Sequence, residues 1–138
     1  GNLVYAYGAL RALAAWRPAR FELELDGRAL VFTGYSVIVA NSRAYGGGMF
    51  VAPDAELDDG LFDVVLVGRV PKRRFLLNLP RVFKGDHVRS PTVHVERARE
   101  VGVRADRPFA MYADGDPIGE LPLIVRTRQR VLRVCVPR

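Results

Sequence analysis

Apolar side chains recur at intervals of three and four along the first stretch of the chain, at Leu3, Ala6, Leu10, Leu13 and Ala14, and Pro18 follows. That spacing predicts a helix over 3–16, stopped by the proline. From Phe21 the period drops to two. Phe21, Leu23 and Leu25 alternate with Glu22, Glu24 and Asp26, Asp26-Gly27 supplies a turn, and an apolar run returns over 29–32. The pattern predicts a β-hairpin with one wet face. Residues 35–41 read as a buried strand and 61–67 as the next, with a glycine-rich loop between them. Pro71 opens a second helix carrying Phe75, Leu76, Leu79, Val82 and Phe83 on one side, which Pro80 is expected to end or kink. Beyond Gly85, short β signals resume at 92–96, 100–104, 109–113, 121–127 and 131–136, with turn residues between them. There is no βαβ rhythm. The expected fold class is mainly β: an antiparallel β-sandwich with an N-terminal helix and one short central helix, in a single domain over residues 1–138.

The chain has 138 residues, 49% of them apolar. A chain of that length buries roughly two thirds of its unfolded surface, so it needs no disulfide or metal staple to fold. The composition excludes disorder, and no apolar stretch approaches the roughly 20 residues of a membrane span. The single cysteine, Cys135, excludes an intramolecular disulfide and a cysteine-based zinc site. It reads as a buried, inert thiol, and a reducing cytosol fits. The chain opens on Gly1-Asn2 with neither initiator Met nor signal peptide, which reads as an excised piece of a longer protein.

The net charge of +6 is segregated. Between Arg43 and Arg69 there is no basic residue, and the five acids Asp54, Glu56, Asp58, Asp59 and Asp63 fall there. From Arg69 to Arg89 there are seven basic residues and one acid. A basic, partly amphipathic segment over 69–84 suits an anionic membrane surface, and a solvated helix face is the alternative. Nucleic acid is disfavoured, because Phe75 and Phe83 fall on the apolar side of the helix rather than among the bases for stacking.

Three segments carry candidate chemistry. In Tyr45-Gly46-Gly47-Gly48-Met49 the glycines allow positive φ and close approach of a ligand, or a tight strand connection. In the stretch from Ala52 to Leu61, a turn presenting one carboxylate beside backbone carbonyls is a suitable oxygen cage for a hard divalent cation. A solvated acidic turn stands as the alternative. In Asp114-Gly115-Asp116 two carboxylates flank a glycine at a strand end, which fits a general base on a rigid element or an ordinary Asp-Gly hairpin.

Taken in order, these segments form Asn-x-x-x-Tyr-Gly-Gly-Gly-Met from Asn41, Ala-Pro-x-Ala-x-x-Asp-Asp-Gly-Leu-x-Asp-Val from Ala52, Gly-Asp-His at 85–87 and Asp-Gly-Asp at 114–116. The series resembles the C-terminal half of bacterial diacylglycerol and lipid kinases, relatives of the sphingosine kinases. The resemblance implies a two-domain enzyme. Its N-terminal domain would bind ATP through a Gly-Gly-Asp-Gly-Thr type motif, absent from this chain, and its C-terminal β-sandwich would bind lipid. It further implies a structural Mg²⁺ held by the Asp59 side chain and the carbonyls of Glu56 and Leu61. Asp116 falls where the family usually has the Glu thought to take the proton from the lipid hydroxyl, and Asp114 would orient the site and its metal. Asp is one methylene shorter than Glu, and a misplacement of about 1 Å can cost on the order of a hundredfold in rate.

On this reading the partners are a lipid substrate, the N-terminal kinase domain and an anionic membrane, with a homodimer left open. The protein would be cytoplasmic or peripheral at the membrane, and the isolated fragment inactive. A stand-alone lipid- or phosphate-binding sandwich and a structural interaction module are the rival readings.

Overall fold

The computed structural model describes residues 15–129 and 131. The helix expected over 3–16 lies outside them but for its last two residues. So does the strand expected over 131–136, apart from Val131, and with it Cys135. The described elements are β1 (Ala19–Leu25), β2 (Arg28–Ala40), β3 (Phe62–Gly68), α1 (Lys72–Val82), a 3₁₀ turn (Asp86–Arg89), β4 (Val93–Ala98), β5 (Glu100–Ala105), β6 (Ala110–Ala113), β7 (Asp116–Glu120) and β8 (Leu123–Arg126). Six strands form one antiparallel sheet in the order β4-β3-β2-β1-β5-β8, and β6 and β7 form a separate ribbon.

Connectivity gives the sheet its shape. Only Arg99 separates β4 from β5, yet four strand-to-strand steps lie between them in the sheet. Four steps in a flat sheet cover about 19 Å, whereas the two peptide units across Arg99 reach about 7 Å. The sheet therefore twists and curls until β5 meets the end of β4. The curl encloses the larger core, in which Phe21, Leu23 and Leu25 of β1 pack with Phe62, Val64 and Leu66 of β3 and Val101 and Val103 of β5. This is the sandwich-like arrangement that the alternating pattern predicts.

The β1–β2 hairpin clasps the crossover. Its turn has Asp26 and Gly27 at positive φ, as an Asp-Gly hairpin requires. The Asp26 carboxylate accepts hydrogen bonds from the N–H groups of Arg99 and Glu100 at 2.8–3.1 Å. These bonds, that from Glu100 first, lower the pKa of Asp26 below its ordinary value. A carboxylate depressed in the folded state contributes stability above its unfolded pKa and loses it as pH falls through the folded one. Thermal unfolding measured from pH 7 down to pH 2 should therefore show a smaller acid destabilisation for Asp26→Ala than for the native chain. Parallel curves would show that the clasp carries no stability.

Three expectations need correction. The runs 29–32 and 35–41 are one strand, bent where the register shifts between Gly34 and Ser36. Of the two outcomes expected at Pro80, an end or a kink, the end does not occur there: α1 continues to Val82. The proline sits in the last turn, where its missing N–H removes only the bond to the Leu76 carbonyl. The strand β7 was not foreseen, because Pro117, Gly119 and uniform exposure hide its alternation.

Strand β3 lies inside the sheet, between β4 and β2, and serves two faces. Its even positions enter the larger core, while Val65 packs with Ala52 and Ala55 in a second cluster on the opposite face. On that second face lie the cavity and the acidic loop described next.

Candidate functional site

Helix α1 buries none of its residues. It roofs a cavity of about 270 Å³ instead, with Phe75, Leu79 and Val82 facing Ile38 and Val67 of the sheet and Met49 of the glycine-rich loop. Gly46, Gly47 and Gly48 all take positive φ, and Tyr45 and Met49 exchange backbone hydrogen bonds across them. The loop is thus a tight turn, and it also presents Tyr45 and Met49 to the cavity. Trp16 closes one end, edge-on to Phe75 at 5.2 Å and tilted against Tyr35 at 5.1 Å.

Of the polar residues that line this cavity, His87, Ser90 and Thr92 lie in or just after the Gly-Asp-His motif, and Ser36, Tyr45, Asn78 and Arg81 lie elsewhere on its wall. Gly85 takes φ +75°, and His87 in the following 3₁₀ turn is 8% exposed. Its Nε2 donates to the Val51 carbonyl at 3.0 Å, which leaves Nδ1 as a buried acceptor without a partner. Burial lowers the pKa of this imidazole and outweighs the Val51 hydrogen bond, so the ring is neutral. Ser90 and Thr92, bonded to each other at 2.9 Å, complete this end. Trp16 and Tyr35 were not foreseen as part of a site, because they look like ordinary core residues in the sequence. Met49 and His87 fall in motifs that the sequence singled out, the glycine-rich loop and Gly-Asp-His, but neither was given a role there.

The Asp114-Gly115-Asp116 segment forms the hairpin turn between β6 and β7, with Asp114 at φ 50° and Gly115 at φ 97°. Both carboxylates are exposed, and among the described residues neither makes a hydrogen bond or ion pair. The base of the ribbon, at Ala110, Met111 and Leu121, lines a second cavity of about 180 Å³. Trp16 and Ser36 belong to both cavities. The ribbon is therefore anchored beside the apolar cavity, with its two carboxylates free to meet another group.

The acidic loop leads into β3. Asp59 Oδ1 accepts the Leu61 N–H at 2.8 Å, while Oδ2 is paired with Arg97 of β4. Thr127 Oγ1 donates to the Gly60 carbonyl at 2.8 Å and fixes the turn. Glu56 is exposed and Leu61 half-buried. Asp63 is 3% exposed, and its Oδ2 has no hydrogen-bond donor. Burial raises its pKa, Arg97 opposes that, and the charges of Asp59, Asp54 and Glu56 add to the rise. Among the described residues no three His, Cys, Asp or Glu side chains converge as a ready metal cage. A cation here would rely on one carboxylate, backbone carbonyls and water. The all-oxygen donors and the orphaned buried carboxylate oxygen fit a hydrated hard cation, whose bound water would supply the missing donor.

Residues 1–136 match the family model described as the YegS C-terminal NAD kinase beta sandwich-like domain. The chain belongs to that family. Among its curated relatives, a diacylglycerol kinase of Mycobacterium tuberculosis is 33% identical over 139 residues, covering 100% of this chain and 45% of the relative. A diacylglycerol kinase of Bacillus subtilis is 25% identical over 138 residues, with 100% and 46% covered. The family domain thus spans a little under half the length of these relatives. Two solved structures from Bacillus anthracis share the fold. One has a TM-score of 0.72 at 18% identity, covering 94% of this chain and 45% of that one. The other, a diacylglycerol kinase, has a TM-score of 0.61 at 16% identity, covering 85% and 43%.

Proposed function

We propose that the chain is the lipid-binding, C-terminal domain of a two-domain kinase that transfers the γ-phosphoryl of ATP to a lipid hydroxyl. The substrate class is a diacylglycerol-like or sphingoid lipid. The observation that carries this reading is the apolar cavity under α1 in a domain whose relatives are named diacylglycerol kinases. An acyl chain gains roughly 0.8 kcal/mol for each CH₂ it buries there. Asp116 takes the hydroxyl proton as the oxygen bonds to phosphorus and the bond to the ADP oxygen breaks. Asp114 orients the reacting groups. The Asp59 carboxylate with the Glu56 and Leu61 carbonyls would hold Mg²⁺, whose contribution is to neutralise and stiffen the loop. ATP binds to the other half of the protein, so this domain alone is inactive. Complete protein incubated with radiolabelled ATP and diacylglycerols, monoacylglycerols, ceramides and sphingoid bases should yield labelled lipid. No label in any of them would overturn the proposal.

The outer side of α1 fits a membrane. Leu77 is 79% exposed, and Leu76, Phe83, Arg73, Arg74 and Lys84 are also exposed. No described helix is long and apolar enough to cross a bilayer. A short basic helix with outward leucines would rest at the surface of one, with each basic residue contributing about 1 kcal/mol on anionic lipid. Binding to phosphatidylglycerol vesicles should be lost in Leu77→Glu with Phe83→Glu and should weaken with salt. Equal sedimentation of native and variant protein would remove the membrane from the scheme.

A further inference from the structure

We infer that Arg97 is a built-in counter-ion that competes with a divalent cation for the Asp59 and Asp63 carboxylates, and that Asp63 is the partner for the water such a cation carries. This deepens the reading of the loop around Asp59 as a cation site and rests on it.

The sheet register places Arg97 directly opposite Asp63 across the β3–β4 ladder. From there the guanidinium pairs with Asp59 Oδ2, while its Nε remains 3.8 Å from Asp63 Oδ2. That separation gives attraction without a hydrogen bond. One guanidinium therefore faces two carboxylates and satisfies the hydrogen-bonding needs of only one. Asp63 Oδ2 stays buried and unpartnered, an unusual state for a carboxylate oxygen. Asp54 and Glu56 lie close enough to add negative potential at the same place. The loop holds more negative charge than Arg97 neutralises.

A hydrated divalent cation corrects both shortfalls, bringing a second positive charge and water hydrogens for the orphaned oxygen. Arg97 is able to give way. It lies on β4, an edge strand, and its side chain is 47% exposed, so it can turn into solvent without disturbing the core. The Leu61 N–H on Asp59 Oδ1 comes from the loop itself and need not break when Arg97 leaves. Arg97 thus keeps the loop folded when cation is scarce and weakens its affinity when cation is present.

The test is calorimetric titration of the complete protein with MgCl₂, without nucleotide or lipid, at low ionic strength. Arg97→Gln should bind Mg²⁺ at least about tenfold more tightly than the native protein, given a full charge removed from the site. Asp63→Asn should bind more weakly, and Asp59→Ala should abolish the binding that Arg97→Gln enhances. Binding by Arg97→Gln alone, with none by the native protein, supports the inference in its strongest form. Unchanged or weaker affinity in Arg97→Gln overturns it while leaving the cation site standing. Silence in every variant overturns it together with the cation site, and leaves the lipid-labelling assay to judge the kinase reading separately. Where Arg97→Gln fails to fold, Arg97→Lys replaces it. Lysine keeps the charge but lacks the guanidinium fork, so an intermediate gain is expected and no gain overturns the inference.

Discussion

Replacing Asp116 by Asn should lower lipid phosphorylation by the complete protein by about 10² to 10⁴-fold, the range contributed by a positioned general base. Thermal unfolding should not change, because the Asp116 carboxylate is exposed and unpartnered among the described residues, and the backbone pairing of Asp116 with Ala113 does not involve it. The two readouts together separate a chemical role from a structural one. Asp114→Asn makes the sharper control on the turn. Asp114 sits at φ 50°, a conformation Asn tolerates, so its loss of activity would report charge rather than a broken hairpin. Asp116→Glu should keep a larger share of the activity than Asp116→Asn, since Asp116 is exposed and, among the described residues, nothing lies within 4 Å of a Cβ built at the neighbouring Gly115. Full activity in Asp116→Asn would remove the base from the mechanism and favour a binding module without catalysis.

The second large effect is on stability. Gly34 lies where β2 bends, paired with Ala19 on one side and Gly68 on the other. A Cβ built there would stand 2.4 Å from the Phe32 ring and 2.4 Å from the Val67 carbonyl oxygen. The ring can turn, but the carbonyl belongs to β3, which is paired on both sides, and cannot retreat without loosening the β2–β3 pairing. Gly34→Ala should therefore cost about 1–3 kcal/mol, the usual range for overpacking a core. Chemical denaturation should show it as a lower midpoint with an unchanged slope. Native-like stability in the variant would mean that the bend has room that the structure denies it.

The hairpin, β4 and β5 were legible in the sequence because each has a period of two bounded by turn residues, and β3 because it is a continuous apolar run, buried on both faces. The strict alternation from Phe21 to Leu25 survives unchanged as the buried face of β1. The joining of 29–32 with 35–41 was hidden because Gly34 looks like a break, and only the sheet register reveals a bend. The apolar side of α1 was legible as a pattern but not as burial: Leu79 lines the cavity and stays 40% exposed, while Leu76 and Phe83, 42% and 51% exposed, are not among the residues that line it. In the acidic loop the sequence singles out Asp59 but is silent on Arg97. The two are brought together by the β3–β4 register, and no local spacing anticipates a partner so far along the chain.

The crossover through Arg99 also says something about how the chain reaches this structure. Strands β1 and β2, or β3 and β4, are neighbours both in the sheet and in chain order, but β5 must find β1, pairing Leu25 with Val101. Loop closure of that length is entropically expensive and comes late. The two strand pairs can form early, while the curl and the core it encloses wait for β5 to dock. Asp26, which binds the backbone at that docking point, belongs to the last step of assembly. Its bonds would then act chiefly as a brake on unfolding rather than as an aid to folding.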